Sequence, residues 1–219
     1  GYNICGGLGC GGFPEQGAKA AEEAAEDIEK AMSGSSLVFI TAGLGGGTGT
    51  GASPVIARIA KDLGALVLAV VTIPFHVERA RLIKAREGLK RLTEICDAVI
   101  VIDNNRLRRV AGNLPLTEAF GVANELIATF IKNLSETISV PSLVNLDFAD
   151  LKAIMTGSGV CAIGVGEAQG DRKVEDATEK ALGTQLLDID DLSTCRGALV
   201  HIEGGDDMTL EDVTRAGEI

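Results

Sequence analysis

The sequence predicts an α/β protein built on a parallel sheet, with a long central helix and part of a second α/β unit. Three observations predict it. Apolar, β-rich runs alternate with helical patterns, a nine-residue glycine-rich segment directly follows one such run, and an amphipathic stretch from Pro115 to Ser139 occupies the middle of the chain.

The elements follow in order. Pro14 to Ser33 reads as a helix, with a proline in its first turn, acidic residues in its body and Gly34 beyond its end. Leu37 to Thr41 (LVFIT) is a short buried strand. The glycine run Gly43 to Gly51 comes next, and the helix after it is expected to take Ser53 as N-cap, Pro54 at N1, and to reach Leu63. Ala65 to Thr72 is a second strand, Glu78 to Ile95 a basic amphipathic helix, Ala98 to Ile102 a third strand and Asn104 to Val110 a short helix. Strands this uniformly apolar belong to a parallel sheet covered on both faces. In Pro115 to Ser139 the apolar positions Leu116, Ala119, Phe120, Ala123, Leu126, Ile127, Phe130, Ile131 and Leu134 recur at helical spacing, which predicts a largely buried helix. Pro141 to Leu146 reads as a loop and Asp147 to Met155 as a helix. From Val160 the alternation restarts as a strand (CAIGVG), a helix (Val174 to Leu182), a strand (Ala198 to Ile202) and a helix near Leu210.

Composition excludes several classes. Twenty basic residues against 31 acidic ones give a net charge of −11, which opposes nonspecific binding to nucleic acid or anionic membranes. Between His76 and Arg109, however, nine basic residues face five acidic ones, so a phosphate would be least repelled there. The five cysteines (Cys5, Cys10, Cys96, Cys161, Cys195) form no C-x-x-C pair and read as reduced thiols of a cytoplasmic protein; with only His76 and His201 beside them, no metal site is expected. The longest apolar run, Leu63 to Phe75, is broken by Gly64, Thr72 and Pro74 and is too short to span a membrane.

Chemistry concentrates in the glycine run. Its six glycines leave the backbone without Cβ obstruction, so consecutive N–H groups can converge on an anion, and the following helix adds its positive end. Thr48 and Thr50 can donate to phosphate oxygens or reach a metal-bound water. A side chain at Gly47 would block that approach. A P-loop needs Lys-Ser/Thr after the last glycine, whereas Gly51 is followed by Ala52 and Ser53. Gly47-x-Gly49-x-x-Ala52 fits a dinucleotide fingerprint, but the next strand ends in Thr72-Ile73 where a ribose-binding acid is expected.

Gly45 to Gly51 (GGGTGTG), between a strand and a helix beginning Ala-Ser-Pro, resembles the signature loop of the tubulin/FtsZ GTPase superfamily. Asn145-Leu146-Asp147-Phe148-Ala149-Asp150 resembles the N-x-D-F-A-D synergy loop of the FtsZ family, in the family's order and just after a long helix. Val101 to Arg106 (VIDNNR) and the cysteines resemble the archaeal type. The resemblance implies a GTP-binding domain over 1–114, a central helix over 115–139, and a synergy loop with an incomplete C-terminal α/β domain over 140–219. It also implies a cytoplasmic GTPase of cell division that binds GTP or GDP with Mg²⁺ and polymerises head to tail at the division site, with division-site adaptor proteins as further partners.

By matching position, the resemblance puts Gly45, Gly46, Gly47, Thr48, Gly49, Thr50 and Gly51 on the β- and γ-phosphates and Cys10, Gly11 and Gly12 by the γ-phosphate. Glu78 and Arg81 match the ribose and phosphate contacts, with one residue fewer between them than in the family's E-G-R-x-R. Asn104, Phe120 and Asn124 fall where guanine is held: Phe120 to stack, the asparagines to bond the base edge. Asn124 stands where FtsZ usually has Asp, offering a neutral acceptor and an NH₂ donor. Asn145, Asp147 and Asp150 would orient the attacking water in the next subunit's site. From the residues alone, Asp147 is an N-cap and Asp150 a first-turn acid. Set against the family pattern, the chain reads as an internal fragment, lacking the first strand with its G-G-G-G-N-N-type loop and the C-terminal end. A dinucleotide-binding enzyme and a nucleotide-insensitive, tubulin-like structural protein are the alternatives.

Overall fold

The computed structural model describes residues 1–139, 147–157, 159–183, 197–205 and 207–219, without the side chains of 108–110 and 116. Four parallel strands lie in chain order: β1 (Leu37–Gly43), β2 (Leu66–Ile73), β3 (Ala98–Asp103) and β4 (Gly159–Cys161). The register pairs Gly43 with Thr72 and Ile73 with Asp103, so the carboxyl ends of the first three strands open on one side of the sheet.

Alternation sorts each strand between two cores. Val67, Ala69 and Val71 of β2 and Val99 and Val101 of β3 pack under α4 (Thr48–Asp62) and α5 (Arg79–Ile95), with Ala57, Ala60, Ala85 and Leu92. The opposite face divides by height. At the amino ends, Leu66, Leu68 and Ala98 pack with Leu134, Leu151 and Met155; at the carboxyl ends, Val70, Ile100 and Ile102 pack with Leu107, Ala123 and Phe120. This face is covered by α6 (Asn104–Ala111), α7 (Leu116–Ser139) and α8 (Phe148–Met155). Both faces are therefore dry, as the apolar runs require.

The 24 residues of α7 span about 36 Å at 1.5 Å per residue, enough to run from one end of the sheet to the other. Of the apolar positions described on it, Ala123 and Leu134 are fully buried and the others half-buried, so α7 is a covering helix rather than a largely buried one.

Several expected elements differ. The first long helix is two, α2 (Pro14–Glu23) and α3 (Ala25–Met32), broken where Ala24 leaves the helical region at φ −100°, ψ 13°; a four-residue α1 (Tyr2–Cys5) precedes them. The helix after the glycine run starts at Thr48, and Pro54 lies within it. β4 ends at Cys161 because Gly164 and Gly166 instead press against the carbonyls of Ala181 and Ala177 in α9 (Lys173–Gly183), an approach that a Cβ would prevent. Ala198 to Ile202 is not a strand. It has no pairing partner among the described residues, and Val200 is 62% exposed. The chain closes with α10 (Leu210–Glu218), capped by Thr209 and tied to α9 by the Arg215–Glu175 ion pair. Among the described residues no helix is long and apolar enough to cross a membrane.

Candidate functional site at the carboxyl end of the sheet

The glycine run divides into two kinds of position. Gly49 and Gly51 belong to α4, where a Cβ on Gly49 would strike the Gly43 carbonyl and one on Gly51 the Pro14 carbonyl. Gly47 is as crowded: its Cβ would stand 2.8 Å from the Cys10 carbonyl oxygen and 2.8 Å from the Phe13 nitrogen. These glycines let α4 approach β1 and α2, so a side chain at Gly47 would collide with the protein's own backbone, not only with a bound anion. Gly45, at φ +100°, needs the left-handed region and touches the Arg81 backbone. Gly46 alone of the five faces open space within 4 Å.

The N-terminus of α4 carries no side-chain cap, unlike those of α6 and α8. The Leu44 amide bonds the Thr72 carbonyl at 2.9 Å, the Gly45 amide bonds Thr50 Oγ1 at 2.8 Å, and the Gly51 amide bonds the Gly47 carbonyl at 3.0 Å. Between them the amides of residues 46–50 have no protein acceptor among the described residues. Five consecutive donors at the positive end of a helix are an arrangement able to bind an anion. The two threonines differ in role. Thr50 is buried and its hydroxyl is engaged in fixing Gly45, whereas exposed Thr48 accepts from the Cys10 amide at 3.3 Å and keeps a proton to donate.

The Cys10–Gly12 segment packs against this loop. Lys84 Nζ donates to the Gly12 carbonyl at 2.6 Å and lies 5.8 Å from the Phe13 ring centroid, which fastens the segment to α5. Arg81 Nη1 pairs with Glu78 Oε2 at 2.9 Å, and Glu78 Oε1 accepts from the Phe75 amide at 3.1 Å. Phe75 meets Phe120 edge to face at 6.1 Å. Asn124 lies exposed one turn along α7 from Phe120, on the same face. Asn104 opens α6 directly after β3. The expected phosphate, ribose and base residues are thus gathered at one end of the sheet.

The acidic pair is elsewhere. Asp147 caps α8 by accepting from the Asp150 amide at 2.7 Å, and both residues are exposed. Their helix is seated in the amino-end core with Leu134, about 21 Å along α7 from Phe120. Asn145 lies outside the described residues.

Four residues that border the site are not singled out by the sequence. Lys84 was visible only as one charge in a basic stretch, and Phe75 as part of an apolar run. Asn105 ties the start of α6 to the segment after β2 by accepting from the His76 amide at 3.0 Å, and it donates to Asp103 at 2.6 Å; Cys5 sits with its sulfur 2.9 Å from that of Cys10.

Residues 1–112 match the family model described as Tubulin/FtsZ family, GTPase domain. The chain belongs to the tubulin/FtsZ family. Residues 159–219 of this tubulin/FtsZ chain also match the FtsZ family, C-terminal domain. It is 52% identical over 222 residues to cell division protein FtsZ 2 of Methanocaldococcus jannaschii and 50% identical over 221 residues to cell division protein FtsZ of Methanothermobacter thermautotrophicus, covering 100% of this chain and 58% of each relative. The chain therefore spans a little over half the length of these relatives. An FtsZ dimer from M. jannaschii superposes at TM-score 0.92 with 45% identity, over 100% of this chain and 64% of that one. CetZ2 from Haloferax volcanii, a GTPγS-bound protofilament, superposes at 0.67 with 26% identity, over 82% of this chain and 54% of that one. The archaeal character expected from VIDNNR agrees with these relatives, and nothing among the comparisons supports the dinucleotide reading.

Proposed function

We propose that this chain forms the nucleotide site and the opposing catalytic face of a GTPase that assembles head to tail and acts in cell division. The observation that carries the reading is the separation of its two halves. The free amides and Phe120 lie at the carboxyl end of the sheet, while Asp147 and Asp150 are exposed at the far end of α7, so one copy cannot bring both to the same phosphate. Two copies stacked in one direction can, and such a contact repeats into a filament. The relatives named as cell division proteins, and the dimer and protofilament among the similar structures, support self-association and a division role. Adaptor proteins at the division site remain part of the proposal.

In this mechanism the amides of 46–50, with Thr48, hold the β- and γ-phosphates, and Cys10, Gly11 and Gly12 close over the γ-phosphate. Arg81, positioned by Glu78, adds positive charge, and Phe120 stacks on guanine while Asn104 and Asn124 bond its edge. Asn145, Asp147 and Asp150 of the neighbouring copy orient water in line with the γ-phosphate, a positioning role that suffices for phosphoryl transfer. Mg²⁺ would enter with the nucleotide and would supply charge neutralisation at its phosphates, with the exposed Thr48 hydroxyl beside the loop able to reach a water bound to it.

The test is GTP turnover against concentration for the full-length protein and for Asp147→Asn, which removes the charge but keeps a capping oxygen. Turnover per subunit is expected to rise above a threshold concentration in the parent and to be nearly lost in Asp147→Asn, with GTP affinity unchanged. Turnover strictly proportional to concentration from the lowest dilution, or an active Asp147→Asn, would refute the shared site.

A further inference from the structure

The mechanism above places Cys10 over the γ-phosphate but gives no role to its sulfur or to that of Cys5. Gly6 (φ 59°) and Gly7 (φ 77°) turn the chain back after α1, and the Leu8 amide bonds the Cys5 carbonyl at 2.9 Å, which brings the Cys5 and Cys10 sulfurs to 2.9 Å. A disulfide needs about 2.05 Å, so a shift of about 1 Å closes the bond. Intervening residues Gly6-Gly7-Leu8-Gly9 are all exposed, and three of them lack a side chain, leaving little bulk between the pair and solvent. Cys10, itself 4% exposed, is joined to the phosphate loop from two directions: its amide bonds Thr48 Oγ1, and its carbonyl lies against Gly47.

We propose that Cys5 and Cys10 are a peroxide-sensitive dithiol whose closure to a disulfide withdraws Cys10 from Thr48 and Gly47 and weakens nucleotide binding. The chemistry balances with hydrogen peroxide as oxidant. The Cys10 sulfur attacks one peroxide oxygen, an S–O bond forms as O–O breaks, and the departing hydroxide leaves as water with the thiol's proton. The Cys5 sulfur then attacks the Cys10 sulfenic acid, S–S forms as S–O breaks, and a second water leaves with the Cys5 proton. Two thiols lose two electrons and one peroxide gains them.

The roles of the two sulfurs follow from their surroundings. Hydrogen bonds from Cys5 and then from Thr48 lower the Cys10 thiol below its ordinary range, while the hydrogen bond to Cys10 raises Cys5. Cys10 is thus the nucleophile and Cys5 the resolving thiol. Cys96 is buried and pushed up to about 12, which leaves it inert under the same treatment.

The effect on nucleotide affinity rests on the function proposed above; the cross-link does not. Full-length protein at a concentration below assembly is treated with hydrogen peroxide, mapped by peptide mass, and titrated with a fluorescent GTP analogue before and after. The expected result is loss of two hydrogens on a Cys5–Cys10 peptide and roughly tenfold weaker binding, about the loss of one hydrogen bond to a charged group, restored by dithiothreitol. Cys5→Ser is expected to bind GTP as the parent does and to give no cross-link under peroxide, its Cys10 passing instead to the sulfenic and then the sulfinic acid, which dithiothreitol does not restore. In the parent, overoxidised thiols without the cross-link overturn the dithiol, and a cross-link with unchanged affinity overturns its coupling to the loop. A cross-link in protein that binds no GTP when reduced would refute the proposed function and leave the dithiol standing.

Discussion

Replacing Gly88 by alanine should stabilise a helix, and here it is expected to destabilise the protein. Gly88 is in the interior of α5, where alanine is favoured over glycine by about 1 kcal/mol. Its Cβ, however, would stand 2.6 Å from Thr50 Cγ2, closer than carbon atoms approach without displacement. Thr50 cannot yield cheaply. It is 3% exposed, and its Oγ1 holds the Gly45 amide at 2.8 Å, so rotating the side chain breaks that bond. Overpacking costs about 1–3 kcal/mol, and a buried amide left without its acceptor costs about 1–3 kcal/mol. If one of these is incurred in full, the net effect is a loss of up to about 2 kcal/mol after the helix gain, and more if both are. Urea unfolding at 25 °C measures it, and Thr50→Ser supplies the control, because serine keeps the hydroxyl and removes the methyl. Gly88→Ala should cost less in the Thr50→Ser background, and GTP affinity should recover with it. A stabilised Gly88→Ala, or a cost that Thr50→Ser leaves unchanged, would refute this account of the loop.

Three other outcomes follow from the same geometry. Gly46→Ala points a methyl into open space, so stability should change by less than about 0.5 kcal/mol while GTP binding weakens roughly tenfold or more; unaltered affinity in a fluorescence titration would remove Gly46 from the anion site. Lys61→Met strands Asp97, which is 5% exposed and bonded to Lys61 Nζ at 2.8 and 2.9 Å. A loss of about 3 kcal/mol is expected by urea unfolding, at the low end for broken buried pairs because Lys61 is partly exposed and the Val67 amide still bonds Asp97. Cys96 stays protonated in the fold up to about pH 12 but ionises near 9 when unfolded. The unfolded state therefore binds fewer protons above pH 9, and Cys96 should lower stability by up to about 1.4 kcal/mol per pH unit between those values. Cys96→Ala should flatten that part of the pH profile.

The sheet was legible because its strands are continuous apolar runs separated by helical patterns, and that information is local. What escaped the sequence is pairing and close approach. Nothing near Ala198 to Ile202 reveals that no described strand lies beside it, and CAIGVG reads as a strand until Gly164 and Gly166 are seen to serve contact with α9. The start of α4 was misplaced for the same reason: glycines that admit the Gly43 and Pro14 carbonyls look the same in sequence as glycines that loosen a loop. The break at Ala24 carries no glycine or proline signal. Around the candidate site, motif order singles out the glycine run and the acidic pair, whereas Lys84, Phe75 and Cys5 acquire meaning only from the neighbours the fold gives them.

The crowding around Gly47, Gly49 and Gly51 has an evolutionary reading. Each is in contact with the protein's own backbone, so the end proposed to hold phosphate has almost no volume in which to vary, and change there costs the fold before it would cost a ligand. The end proposed to hold the base is built differently, from the side chains of Phe120 and exposed Asn124 on one face of a helix that is anchored elsewhere by Leu134 and Ala123. Substitutions at Asn124 leave those anchors untouched. On the proposed function, drift in nucleobase preference, or its deliberate redesign, has a route through Asn124 that leaves the core contacts of α7 in place.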